Sequence, residues 1–179
     1  MKAIPWEVNA QKLSDAYVAG FLDGDGSIVA TVEKRFERRR FPYRVRLRIN
    51  FTQHKRHRRL IEIIKIFLGN TGSVREAKSH PLVELVIQDR YEIERIITRL
   101  LPHIVLKERQ AKTLLSIIEI YKKATVKTRS SLSEKEYVAI LKLVREIRKL
   151  NSRTGGKIEL KAFNPVTTFR LGERVSEMS

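Results

Sequence analysis

Between Tyr43 and Gln53 the sequence alternates without a break. Arg44, Arg46, Arg48 and Asn50 stand at one parity, and Val45, Leu47, Ile49 and Phe51 at the other. Side chains of a strand point to opposite faces with a period of two, so this segment predicts a strand with an apolar back and a wet, cationic front. Such a strand belongs in a sheet that is covered on one side only.

The rest of the chain supplies that sheet and its cover. Ser14 to Leu22 reads as a short apolar helix with Ser14 as N-cap and Asp15 in its first turn; Asp23-Gly24-Asp25-Gly26 follows, and its glycines predict the helix end. Ser27–Lys34 is β-rich, and Arg35–Pro42 is a charged loop before the alternating strand. Residues 57–68 return to helical spacing, Gly69-Asn70-Thr71-Gly72 is a turn, and Ser73–Lys78 with Leu82–Gln88 predict a hairpin. Asp89 with Glu92 starts a helix that ends near Pro102, and another covers Glu108–Ala124. Thr125–Leu132 reads as a linker, and the Ser133/Glu136 capping box opens a helix to about Leu150.

The order predicts an α+β fold. Two helix–strand–strand units in tandem make one four-stranded antiparallel sheet with helices on its apolar face, and C-terminal helices follow. A single domain is expected, with a core over 13–124, a helical part over 133–157 and a tail over 158–179.

Charge narrows the function. Lys and Arg number 37 against 20 Asp and Glu, a formal net charge of +17 in 179 residues. With 42% apolar residues this is a folded protein rather than a basic tail, and its first expected partner is nucleic acid. The absence of cysteine removes disulfide scaffolds, Cys-ligated zinc, iron–sulfur clusters and thiol nucleophiles. No apolar run approaches the ~18–20 residues of a membrane span, and residues 1–7 lack a signal-peptide core, so an intracellular protein without a membrane partner is expected.

Chemistry concentrates in Tyr17–Gly26. Ala16, Gly20 and Gly24 are spaced four apart and leave one helix face bare, which lets another helix backbone approach closely. Asp25 is a carboxylate where the helix dipole disfavours an anion, so it calls for a cation, and Mg²⁺ suits one or two carboxylates with water and phosphate. On the residues alone, Gly-Asp-Gly after a helix is ordinarily a cap and a turn.

Val18–Gly26, Val-Ala-Gly-Phe-Leu-Asp-Gly-Asp-Gly, resembles the nine-residue LAGLIDADG motif, and Gly24–Ile28 is similar to the variant in homing endonucleases that carry one motif per chain. The resemblance extends from about Leu13 to Lys157 and implies the αββαββα fold with a saddle-like sheet. It implies that the motif helices of two subunits pack through Ala16, Gly20 and Gly24, and that Asp25 is a divalent-metal ligand with the Gly24 carbonyl beside it. Asp23 matches an acidic position that is more often structural. Phe51-Thr52-Gln53 resembles the segment whose glutamine orders water near the metal. Leu106–Ala111 resembles the segment whose lysine, here Lys107, lies near the scissile phosphate.

From these expectations follows a homodimeric, metal-dependent endodeoxyribonuclease with Asp25, Gln53 and Lys107 as catalytic residues and Mg²⁺ as cofactor. It would make one cut per strand of double-stranded DNA, staggered across the minor groove, in intron homing. Ten residues of strand reach ~33 Å, about ten base pairs, so two subunits would cover roughly twenty in a near-palindromic site. Arg44, Arg46 and Arg48 suit guanine, and Thr31, Glu33, Asn50, Ser73, Arg75, Glu84, Val86 and Gln88 fall on the same inferred face. The basic run His54–Arg59, including Arg58, and the loop residues Ser152, Arg153 and Lys157 are candidates for the DNA backbone. Two rivals use the same scaffold: an RNA-binding intron maturase and a non-catalytic DNA-binding protein. The joint presence of Asp25, Gln53 and Lys107 argues against the plain binder.

Overall fold

A computed structural model of the chain describes residues 13–34, 41, 43–77, 80–128 and 132–151. Along these residues run α1 (Asp15–Asp25), β1 (Gly26–Lys34), β2 (Tyr43–His54), α2 (Arg58–Phe67), β3 (Ser73–Glu76), β4 (Leu82–Ile87), α3 (Arg90–Leu100), α4 (Glu108–Thr128) and α5 (Glu134–Leu150). Short 3-10 turns at Lys55–His57 and Leu101–His103 precede α2 and follow α3. The strands form one antiparallel sheet in the order β1-β2-β4-β3. This is the expected α+β architecture with C-terminal helices.

The described residues fall into two compact units, one with α1, the start of β1 and Arg48–Ala111, the other with Val29–Leu47 and the chain from Lys112. In the first, Ile49 opposes Ile87, Phe51 opposes Leu85 and Gln53 opposes Val83. Directly opposed residues of an antiparallel pair share a face, so these make the apolar side. Ile49, Phe51, Leu85 and Ile87 are fully buried, as are Leu22 of α1, Ile61 and Ile64 of α2 and Ile93 and Ile96 of α3. Each such side chain contributes about 1.5–3 kcal/mol by leaving water. Burial of this one row therefore sets the register, because a slip of one residue would turn the Arg48 row inward.

The second unit is held by α5. Tyr137 and Leu141 are buried against Val32, Phe41, Tyr43, Val45 and Leu132. The Phe41 and Tyr137 rings stack at 4.3 Å, and the Tyr137 hydroxyl donates to the Tyr43 carbonyl at 3.2 Å. The capping box at its start is present as read: Ser133 Oγ accepts from Glu136 N, and the Glu136 carboxylate accepts from Ser133 N.

Two boundaries differ from the sequence reading by more than two residues. Helix α4 continues to Thr128, into the stretch read as a linker. No glycine or proline lies between Ala124 and Thr128, so nothing breaks the helix there. Helix α1 does not stop at its glycines: it runs through Gly24 to Asp25, and β1 begins at Gly26 without a turn.

Gly26 is needed for space rather than for backbone freedom. Its φ is −99°, which any residue can adopt. A Cβ there, however, would lie 2.8 Å from the Asn50 carbonyl oxygen and 2.8 Å from the Leu22 Cα. Neither atom can rotate away. Gly26→Ala is expected to lower stability by about 1–3 kcal/mol, read as a lower urea midpoint at unchanged slope; an unchanged midpoint would show that the junction is loose.

Candidate active site

The site is built on the C-terminal end of α1. Ser14 accepts from Tyr17 N at the helix start, and Asp15 pairs with Arg99 of α3 at 2.7 Å. The Phe21 ring lies 6.4 Å from the Phe51 ring of β2. The far end of the helix presents carbonyls that have no partner within the helix. Lys107 meets two of them: its ammonium donates to the Leu22 carbonyl at 3.1 Å and to the Asp23 carbonyl. A cation at a helix C-terminus is favoured by the dipole. Burial nevertheless pushes the Lys107 ammonium below the usual lysine range, with the Asp23 and Asp25 carboxylates acting against that shift.

Asp23 closes the arrangement from the other side. Its Oδ2 accepts from Val105 N at 2.7 Å and Leu106 N at 3.0 Å, and its Oδ1 from Lys107 N at 3.0 Å. The carboxylate therefore serves the segment before α4, in keeping with the structural role its motif position implies.

Asp25, the last residue of α1, is exposed. Its Oδ2 accepts from Gln53 Nε2 at 3.0 Å, and Gln53 Oε1 accepts from His54 N at 2.8 Å. The His54 N–H thus orients the Gln53 amide so that its NH₂ faces the carboxylate. Gln53 lies at the parity of Phe51 and Ile49, on the helix side of β2 rather than on the arginine side. Asp25, Gln53 and Lys107, taken from three separated segments, therefore gather around one helix end.

The donor set suits a hard divalent cation. Asp25 Oδ1 has no partner among the described residues, and the Gly24 carbonyl is one of the free carbonyls ending α1. No group of three or more His, Cys, Asp or Glu among the described residues could hold a metal. One carboxylate and one carbonyl suit an ion such as Mg²⁺, which keeps most of its water.

The proposed helix–helix face is open. Ala16, Gly20 and Gly24 are exposed, and a Cβ on Gly20 or Gly24 would meet nothing within 4 Å. Val105 and Leu106 are 83% and 73% exposed although apolar. The sequence reading gave Val105 no role and placed Leu106 only in the segment that carries Lys107; the tertiary fold shows both outside.

The polar side of the sheet is less uniform than the alternation predicts. In the first unit Ser73, Arg75 and Gln88 are exposed, Arg48 is half-buried, and Glu84 lies 3.5 Å from the Thr52 hydroxyl. Asn50 and Val86 oppose one another on this side but are buried, and Asn50 Oδ1 has no hydrogen-bond partner. In the second unit Thr31, Glu33, Arg44 and Arg46 are exposed, with Arg46 Nε 2.5 Å from Glu33 Oε2. Arg58, in α2, is held by Glu62 at 2.8 Å and Glu76 at 2.6 Å. Ser152, Arg153 and Lys157 lie outside the described residues. Among the described residues no helix is long and apolar enough to cross a membrane.

A model of the LAGLIDADG endonuclease family matches residues 18–121, more than half of the chain, and the chain belongs to that family. Among its relatives is the DNA endonuclease I-CreI of Chlamydomonas reinhardtii, 31% identical over 103 residues, covering 58% of this chain and 61% of that protein. Another is the DNA endonuclease I-CvuI of Chlorella vulgaris, 36% identical over 109 residues, covering 60% and 65%. The chain thus matches less than two thirds of the length of these curated relatives.

Solved structures agree in fold. I-CvuI in complex with the I-CreI target in 2 mM Mg, with the DNA not cleaved, superposes with a TM-score of 0.75 at 24% identity, covering 89% of this chain and 94% of that one. The archaeal intron-encoded homing endonuclease I-Vdi141I, complexed with DNA, gives 0.72 at 20% identity, covering 89% and 94%.

Proposed function

We propose that this chain is a divalent-metal-dependent, site-specific DNA endonuclease that works as a homodimer. It makes one cut per strand, staggered, in a long and roughly palindromic duplex site, as intron homing requires. The observation that carries this reading is the meeting of Asp25, Gln53 and Lys107 at the C-terminal end of α1. The single motif in the chain asks for a second copy, and a C₂ pair would bring two such helix ends together.

Each residue has a task that its contacts suit. The Asp25 carboxylate and the Gly24 carbonyl hold the cation. When bound, the cation supplies Lewis acidity and lowers the pKa of water for attack on the phosphodiester. The Gln53 amide, already oriented by His54, exchanges its bond to Asp25 for one to the attacking water. The Lys107 ammonium, held at the helix end, offsets charge that builds on the phosphate oxygens. On the sheet, Arg44, Arg46 and Arg48 read base edges, and Thr31, Glu33, Ser73, Arg75, Glu84 and Gln88 are further contacts of the same kind; Asn50, expected among them from the alternation, is buried and is left out. Arg58, Ser152, Arg153 and Lys157 would contact the backbone. The Glu33 carboxylate engages Arg46 through Nε, which leaves the two terminal nitrogens to form a bidentate pair with guanine O6 and N7.

Incubation with a randomised duplex library of about twenty base pairs tests the reading. Cleavage is expected with Mg²⁺, none with EDTA, and a loss of at least about 100-fold in Asp25→Asn. Specific binding that is never followed by cutting would leave a DNA-binding protein, and RNA affinity that survives Asp25→Asn without DNA cleavage would leave a maturase.

The dimer has its own test. Gly20→Leu has open space in one chain and gains up to about 1 kcal/mol of helix propensity, so the subunit is expected to stay folded. Sedimentation should nevertheless shift from dimer to monomer. An unchanged dimer would show that this face is not the contact.

A further inference from the structure

We propose that Asp23 is the positioning residue for Lys107, fastening the segment that carries it to the end of the motif helix. The consequence for catalysis rests on the endonuclease reading above; the positioning itself does not.

The segment Val105–Lys107 has little else to hold it. Val105 and Leu106 are 83% and 73% exposed, so neither is anchored by packing, and Pro102 and His103 before them are exposed as well. Ile104 is the one buried residue of this approach. Against this, three consecutive backbone N–H groups converge on one carboxylate, at 2.7, 3.0 and 3.0 Å. Hydrogen bonds to an ionised acceptor are among the stronger ones available to a backbone.

They fix the Lys107 main chain at a place from which its ammonium reaches back to the Leu22 and Asp23 carbonyls. The two groups exchange roles across the junction. A carboxylate on α1 holds N–H groups ahead of α4, and an ammonium ahead of α4 caps the carbonyl end of α1.

Both Asp23 oxygens are occupied by these donors, which separates Asp23 from Asp25, whose Oδ1 has no partner among the described residues. One acidic residue of the motif orders the protein, and the other faces outward. If Asp23 is lost, Lys107 remains in the sequence but its starting point is no longer set. A displacement of about 1 Å at a catalytic group costs on the order of 100-fold in rate.

The test uses the full chain as wild type, Asp23→Asn, Lys107→Met and the double variant, with Asp23→Ser alongside, since serine keeps a capping oxygen. The first readout needs neither DNA nor metal. Competitive acylation at one pH, resolved by mass spectrometry, measures the accessibility of the Lys107 amine, and hydrogen exchange measures the amides of residues 105–107. Asp23→Asn is expected to raise Lys107 labelling by about tenfold and to release those amides, with α5 protection unchanged and Asp23→Ser intermediate. Wild-type labelling and exchange in Asp23→Asn would overturn the proposal. If Asp23→Asn does not fold, the same comparison is made with Asp23→Ser.

The second readout is single-turnover cleavage of the selected site beside its dissociation constant. Asp23→Asn should cut about 100-fold more slowly with affinity unchanged within about threefold, and the double variant should be no slower than Lys107→Met. Losses that multiply in the double variant would show that Asp23 does not act through Lys107. A wild type that cuts nothing would defeat the endonuclease reading while the labelling still decides the positioning.

Discussion

The end of α1 is where this protein spends its charge most carefully. A helix that stops with free carbonyls next to two carboxylates is electrostatically unfavourable, and the fold answers with Lys107 from a segment 84 residues away in the chain. Asp23 in turn satisfies the N–H groups that the turn into α4 leaves open. The junction of α1 with α4 is therefore a mutual exchange of opposite charges between two ends of backbone. With it in place, Asp25 is left pointing outward at the tip of the helix, with Gln53 as its neighbour. Everything proposed about chemistry depends on that junction holding.

The sheet separates two jobs by parity alone. On β2 the residues at the positions of Ile49 and Phe51 are committed to the core, and those at Arg44, Arg46 and Arg48 to the other side. Gln53 is the informative exception. It is polar at a core parity, and it escapes burial because it falls at the strand end, where the apolar face meets the tip of α1. A polar residue at that parity in the middle of the strand would have to be buried among Ile and Phe side chains at considerable cost.

Net charge alone overstates the cations that the protein has free. Arg46 is engaged by Glu33, Arg58 by Glu62 and Glu76, Arg95 by Glu92, and Arg99 by Asp15. Such exposed pairs contribute little stability, about 0–1 kcal/mol each. At Arg46 the effect is on direction: held by Glu33 through Nε, it keeps its two terminal nitrogens in a fixed orientation, whereas Arg58 is engaged at both Nε and Nη1.

Much of this was legible in the sequence, for a physical reason. Periodicity is local, so the β2 alternation, the Ser14, Asp89 and Ser133 caps and the helix–strand order could be read without coordinates. The nine residues Val18–Gly26 carried the family. What the sequence could not show are relations between distant segments. Whether Gly24 ends the helix or continues it, why Gly26 must lack a side chain, that Val105 and Leu106 lie outside, that Asn50 and Val86 are buried on the polar side, and that Asp23 serves Lys107 were all decided by contacts across the fold. Local pattern determines which elements form and which face each one buries. Only the packed structure determines which backbone ends meet, because a partner 84 residues away leaves no trace in the spacing of its neighbours.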